Sequence, residues 1–184
     1  MTERRTAIAE AGVRLLASRG VRALTHRAVD AEAGLPAGST SYYARTRRDL
    51  IGLIIQHLAE RTEVDLGAHH FDGELTVDSV ADALRAGLDA TLRRADDHKA
   101  RLILLLECDG DPDLRDSLST RPQVRQGFVT TATQILAQLG VEDADARALD
   151  LIGLLDALLM QRIVRGASFD DGAVLRAYLR GLTS

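Results

Sequence analysis

Aromatic side chains make up only 3% of this 184-residue chain, and it has no tryptophan. Any small-molecule site is therefore expected to be an aliphatic pocket rather than a flat stacking surface. One cysteine, Cys108, excludes an intramolecular disulfide and implies no redox compartment. No apolar run approaches the roughly 20 residues of a membrane-spanning helix. The opening MTERRTAIAEAG also lacks the unbroken apolar stretch of a secretory signal. A soluble, cytoplasmic protein with no membrane partner is expected. His69-His70, with Asp65 or Asp72, form a lone cluster in a Gly-flanked segment, and no second cluster completes a coordination shell, so no metal is expected. Phosphate-binding and nucleophile-elbow motifs are missing. The scattered candidates Cys108, His98 and Ser117 share no spacing that would unite them. The expectation is a protein that is not an enzyme and carries no cofactor.

Hydrophobic residues, at 46%, are ample for a sizeable core. They recur at helical spacing and show no convincing period-two alternation. One stripe is Ile8, Ala11, Leu15 and Leu16, closed by Gly20; another is Leu50, Leu53, Ile54, His57 and Leu58. A third runs from Val77 through Val80, Ala81, Leu84 and Leu88 to Leu92, behind a candidate N-cap at Thr76. Leu102 to Leu106 reads as a short buried helix, stopped by Asp111-Pro112. Pro122 suits the first turn of a helix with the stripe Val124, Phe128, Thr131, Ile135 and Leu139, ended by Gly140. A long helix from Glu142 to Arg165 and a last one from Asp170 to Leu182 follow, the latter with Ser168 and Asp171 at capping-box spacing. This pattern predicts an all-α fold of about nine helices, with loops at 67–75, 95–99, 109–120 and 166–170.

The net charge of −4 conceals a division. Residues 1–50 hold nine Arg against five Asp or Glu, a net of +4; residues 51–184 hold fourteen Lys or Arg against twenty-two acids, a net of −8. A basic head on an acidic body is the asymmetry of a chain that meets phosphate at one end.

The head contains THRAVDAEAGLPAGSTSYYARTRR, Thr25 to Arg48. Thr25 is a candidate N-cap, and Ala33-Gly34-Leu35-Pro36 breaks the helix it opens. The next short segment is crowded with Gly, Ser, Thr and Tyr, and a basic run follows. Small hydroxyl side chains let a backbone approach DNA closely, while phenols and guanidinium groups bind phosphate. Val29 and Ala33 are the inward face of the first helix, and Leu35 is placed to plug the core.

The run ALTHRAVDAEAGLPAGSTSYYARTRRDL resembles the helix-turn-helix signature of the TetR/AcrR family of one-component transcriptional regulators, over roughly residues 5–55. The resemblance implies a DNA-binding domain at 1–50, with its motif at about 25–44, and an effector-binding and dimerisation domain at 51–184. It implies that Thr25 contacts a phosphate beside His26 and Arg27, with Arg27 the candidate for a bidentate contact to guanine. Gly38, Ser39, Thr40 and Ser41 would face the groove. Tyr42 and Tyr43 would bond phosphates or pack beneath the recognition helix. Arg47 would clamp a phosphate where the family usually carries Lys, with Arg45 adding charge. The chain departs from the family at Ala44, commonly an aromatic, at Ser41, usually Tyr, and at Asp30, normally small and apolar.

The resemblance also implies a body with a small-molecule cavity and a dimer interface on the last two long helices. Candidate cavity residues are His57, Leu58, Leu84, Leu88, Leu105, Cys108, Phe128, Thr131 and Asp156, with Ile135 and Met160 further possibilities. Asp156 stands out because a carboxylate among apolar neighbours must be paired, exposed or functional. Leu151, Leu155, Leu158, Leu159 and Ile163, with Ile152, Leu154, Met160 and Val164, exceed one helix's inward stripe. So do Val174, Leu175, Tyr178, Leu179 and Leu182, and the excess suits a symmetric four-helix contact. The expected function is a homodimeric DNA-binding regulator, a repressor released by a small-molecule effector from a palindromic operator. An effector-independent regulator or a protein-binding adaptor is the alternative, and a small all-α enzyme a more distant one.

Overall fold

Every regular element in a computed structural model of the chain is helical; it describes residues 1–66, 75–118, 122–166 and 170–183. Ten α-helices and one 3-10 turn occur among them, against the nine or so expected. They are α1 (Glu3–Arg19), the turn Val21–Ala23, α2 (His26–Glu32), α3 (Ser39–Tyr43), α4 (Arg47–Leu66), α5 (Val77–Leu92), α6 (Ala95–Glu107), α7 (Pro112–Leu118), α8 (Pro122–Gln138), α9 (Ala144–Arg165) and α10 (Asp171–Leu182). No described helix is long and apolar enough to cross a membrane. His69, His70, Asp72 and Ser168 lie outside the described residues.

The caps explain the boundaries. Thr25 Oγ1 accepts the Ala28 N–H at 3.2 Å and opens α2. Thr76 and Ser79 form a reciprocal capping box on α5. A second box was not anticipated: Asp49 Oδ2 accepts the Thr46 N–H at 2.9 Å and Thr46 Oγ1 accepts the Asp49 N–H at 3.1 Å, which starts α4. Asp170 caps α10, its carboxylate accepting the Ala173 N–H at 2.9 Å. The expected loops at 95–99 and 109–120 are corrected. Residues 95–99 are the first turn of α6, and Pro112 starts α7 instead of ending structure, because its missing N–H costs nothing in a first turn.

The helices form two compact units, Met1–Leu66 with Asp96–Arg121, and Gly67–Ala95 with Pro122–Ser184. They do not part at residue 50, since α4, α6 and α7 join the head. The first core gathers Ile8, Leu15, Leu16, Leu24, Val29, Leu50, Ile54, Leu58, Leu104 and Leu118, all within 2% of full burial. Arg101 ties its helices together, donating to the Leu118 and Leu58 carbonyls at 2.9 and 3.3 Å. The second core is built on Val80, Leu88, Leu136, Leu151, Leu158, Leu175 and Leu179.

Gly12 is where α1 comes closest to α4. A Cβ there would collide with the Ile54 side chain, which is fully buried and cannot retreat. Gly12→Ala is therefore expected to destabilise the first unit by about 1–3 kcal/mol, despite alanine's better helix propensity. Urea titration checks this; a stabilised variant would contradict the close approach.

Candidate nucleic-acid interface

The turn between α2 and α3 depends on backbone that only glycine adopts easily. Gly38, just before α3, has φ +91°, and a Cβ there would be strained in any surroundings. Three polar contacts then fix α3, which is only five residues long. Asp30 Oδ2 accepts the Gly38 N–H at 2.7 Å, and Asp30 Oδ1 accepts the Thr40 N–H at 2.7 Å and the Thr40 hydroxyl at 2.6 Å. The Asp30 carbonyl accepts the Leu35 N–H at 2.8 Å. Burial opposes the ionised carboxylate. Its hydrogen bonds from Thr40 and Gly38, with His26 nearby, outweigh that and hold the carboxyl below the usual range.

His26 closes the far end of α3, its Nε2 lying 2.8 Å from the Ala44 carbonyl. A carbonyl only accepts, so Nε2 carries the proton in this contact. Ala44 itself is 1% exposed and packs in the core where a larger side chain was anticipated. Tyr42 and Tyr43 meet edge to face at 5.0 Å. Tyr43 packs against the core, whereas Tyr42 is 80% exposed. Thr25, Arg27, Gly38, Ser41, Tyr42 and Arg45 are exposed, and Ser39 is half-buried with its hydroxyl donating to the Pro36 carbonyl at 2.6 Å.

One expected contact is corrected, and two other expected residues are engaged within the protein. Thr40 is fully buried and cannot face a groove, because its hydroxyl is turned inward to Asp30. His26 is engaged with the backbone rather than presented at the surface. Arg47 is occupied too: it donates to the Leu24 and Val21 carbonyls at 2.7 and 3.1 Å and pairs with Glu107 at 3.2 Å. Arg48 is held by Asp111 at 2.8 Å and Asp113 at 3.1 Å, which keeps the Asp111 carboxyl below its ordinary range. The acids around α7 thus neutralise two of the head's cations. Arg27 and Arg45, the two exposed cations within the α2–α3 segment and just beyond it, carry no ion pair among the described residues.

The effector candidates divide between the two units. His57, Leu58 and Cys108 are buried in the first core, where Leu105 packs against it, and burial pushes the Cys108 thiol up. Leu88 belongs to the second core and Leu84 packs against it. Phe128 and Thr131 are exposed, because α8 turns Leu136 inward with Ala132, Ile135 and Leu139, a face offset from the expected stripe. Asp156 is exposed, which answers how a carboxylate is tolerated among leucines. The side chain of Asp65 lies outside the described residues.

His57 is 5% exposed, and no partner reaches its Nε2 among the described residues. Burial, then the Arg61 cation, hold the imidazole below 6.5, against the pull of Glu10, Asp97 and Glu60. A depressed folded-state value favours the neutral ring. Its stabilisation is complete above about pH 6.5 and is lost as pH falls through the folded value. Unfolding free energy is therefore expected to decline on acidification below pH 6.5, and His57→Leu to remove that decline; equal slopes in both proteins would contradict it.

The expected dimer residues divide between the protomer's own core and its surface. Leu151 and Leu158 are buried within the protomer, Leu155, Leu159, Tyr178 and Leu182 are half-buried against the same core, and Ile163 is half-buried. The outward row on α9 is Leu149, Gly153, Asp156, Met160 and Val164, with Val174 exposed on α10. A Cβ at Gly153 would meet nothing within 4 Å.

The sequence pattern of a family described as "Tetracyclin repressor-like, C-terminal domain" matches residues 75–184. Among curated proteins none matches the chain. Among solved structures the chain is similar to a TetR family member from Streptomyces coelicolor A3, at 24% identity and TM-score 0.68 with 98% of each chain covered. A transcriptional regulator from Rhodococcus sp. Rha1 matches at 18% identity and TM-score 0.76, covering 97% of this chain and 95% of that one. The multidrug binding protein EbrR complexed with proflavin matches at 26% identity and TM-score 0.60, covering 98% of this chain and 99% of that one.

Proposed function

The chain belongs to the TetR family of transcriptional regulators, and on that premise we propose that it is a cytoplasmic, homodimeric repressor released from a palindromic operator by a small-molecule effector. Regulators of this family are not enzymes, and the reading contains no catalytic step. One observation carries it: Asp30, His26 and Arg47 are committed to internal bonds, and what they leave outward is Thr25, Arg27, Ser41, Tyr42 and Arg45. That face offers hydroxyls, a phenol and two unpaired guanidinium groups to a duplex.

Reading a two-fold symmetric site requires two heads about 34 Å apart. The row Leu149, Gly153, Met160 and Val164, interrupted by Asp156, supports self-association along α9, with the glycine allowing two helices close approach. For the effector, EbrR is a multidrug binding protein whose complexes include proflavin and imidazole. The scarcity of aromatics here, with no tryptophan, favours an aliphatic ligand over a planar dye.

Arg27→Ala tests the reading. Arg27 is exposed in the first turn of α2 and available for a base edge. Its loss is expected to remove about 1–3 kcal/mol of discrimination at one base pair per half-site, measured by anisotropy titration against single-base operator variants. Unchanged affinity and base preference would remove Arg27 from the interface.

A further inference from the structure

Asp30 is an uncommon residue to find inside a small head. It is 3% exposed, yet the hydrogen bonds its carboxylate accepts among the described residues all come from the α2–α3 turn or from α3 itself. Its main-chain carbonyl holds Leu35 in the same turn. α3 has five residues, too short to sustain itself by its own hydrogen bonds, so its direction is set by what grips its start. On the other side of this grip are Ser41 and Tyr42, small and phenolic side chains of the outward face.

We propose that the Asp30–Thr40 pair is the positioning element of the recognition helix: it sets the pose in which Ser41 and Tyr42 meet DNA, and so acts on sequence discrimination through residues it does not itself join at the surface. This deepens the DNA-reading function proposed above and depends on it. The geometry gives the pair a role that apolar packing at these positions would fill less directionally. Three bonds from two backbone amides and one hydroxyl fix both the turn and the roll of a single-turn helix, whereas apolar contacts tolerate sliding.

The sign of the effect separates this role from simple electrostatics. Asp30→Asn removes one negative charge from the DNA-facing head, which by charge alone tightens binding to phosphate. It also points an amide N–H toward a backbone N–H, or loses the acceptor for Thr40, so the pose relaxes. The expected result is a loss of operator affinity of about tenfold or more, with non-specific DNA affinity unchanged or raised. Thr40→Val removes one donor and little volume. It is expected to lower the ratio of operator to non-specific affinity several-fold, and Thr40→Ser, which keeps the hydroxyl, to retain most of that ratio.

Anisotropy titrations of the full chain on a selected operator and on random duplex read both affinities, and circular dichroism and thermal melts establish that each variant is folded. If Asp30→Asn does not fold, the contrast of Thr40→Val with Thr40→Ser decides. A folded Asp30→Asn that binds operator as tightly as the parent, or Thr40→Val with an unchanged affinity ratio, overturns the positioning role. Wild-type protein that shows no operator preference refutes the DNA-reading function instead, so the two failures are distinguishable.

Discussion

Met160→Glu is expected to split the proposed homodimer and, with it, to lower affinity for the proposed operator by about two to four orders of magnitude, the range that linkage of two binding heads contributes. Met160 is 48% exposed in the protomer, so a glutamate there remains hydrated and its helix propensity is favourable. The damage falls on association alone: in a two-fold contact along α9, each copy adds a second carboxylate beside Asp156 in the row of Leu149, Gly153 and Val164, raising like-charge repulsion across the contact. Sedimentation at micromolar concentration should find a folded monomer. A dimer that persists with unchanged operator affinity would move the interface elsewhere.

Arg162→Met is the second large effect. The Asp171 side chain has no exposure and is paired with Arg162, which also donates to Asp89 at 2.9 Å. Neither Asp171 oxygen has a hydrogen-bonding partner to fall back on among the described residues. Removing the arginine strands a buried carboxylate where α5, α9 and α10 meet, for which about 3–5 kcal/mol is the usual cost. Its place in the first turn of α10 softens the loss without cancelling it. Chemical denaturation measures the difference. Arg162→Met with Asp171→Leu should recover much of it, because the pair replaced together leaves no unpaired charge. A single variant within about 1 kcal/mol of the parent would show that water reaches Asp171.

Much of the fold was legible because burial imposes a period. The stripes Ile8, Ala11, Leu15, Leu16 and Leu50, Leu53, Ile54, His57, Leu58 are buried throughout. The α8 stripe was out of phase because Phe128 and Thr131 share a spacing with Ile135 but not a face with Leu136. Helices as apolar as α9 carry two candidate faces. Which one a protomer keeps for itself depends on packing against α8; Leu151 and Leu158 fall on the kept face, and Leu149 and Gly153 on the other. Thr25 as a cap could be read from its position alone. The inward turn of Thr40 could not, because it requires knowing that Asp30, eight and ten residues from its two backbone partners, lies beneath them. The signal was present nonetheless: a carboxylate at a position expected to be small and apolar needs donors. The charge split pointed to a basic head, but Glu107, Asp111 and Asp113 neutralise part of it, and only tertiary structure shows which cations remain.

The most direct measurement is selection of bound sites from random duplex DNA by the full chain, followed by titration of the recovered site at several salt concentrations. An inverted repeat with half-sites one helical turn or a multiple of it apart is expected, with affinity falling steeply as salt rises. Recovery of no shared sequence, with binding equal on selected and random duplex, would contradict the assignment of this chain as an operator-reading regulator.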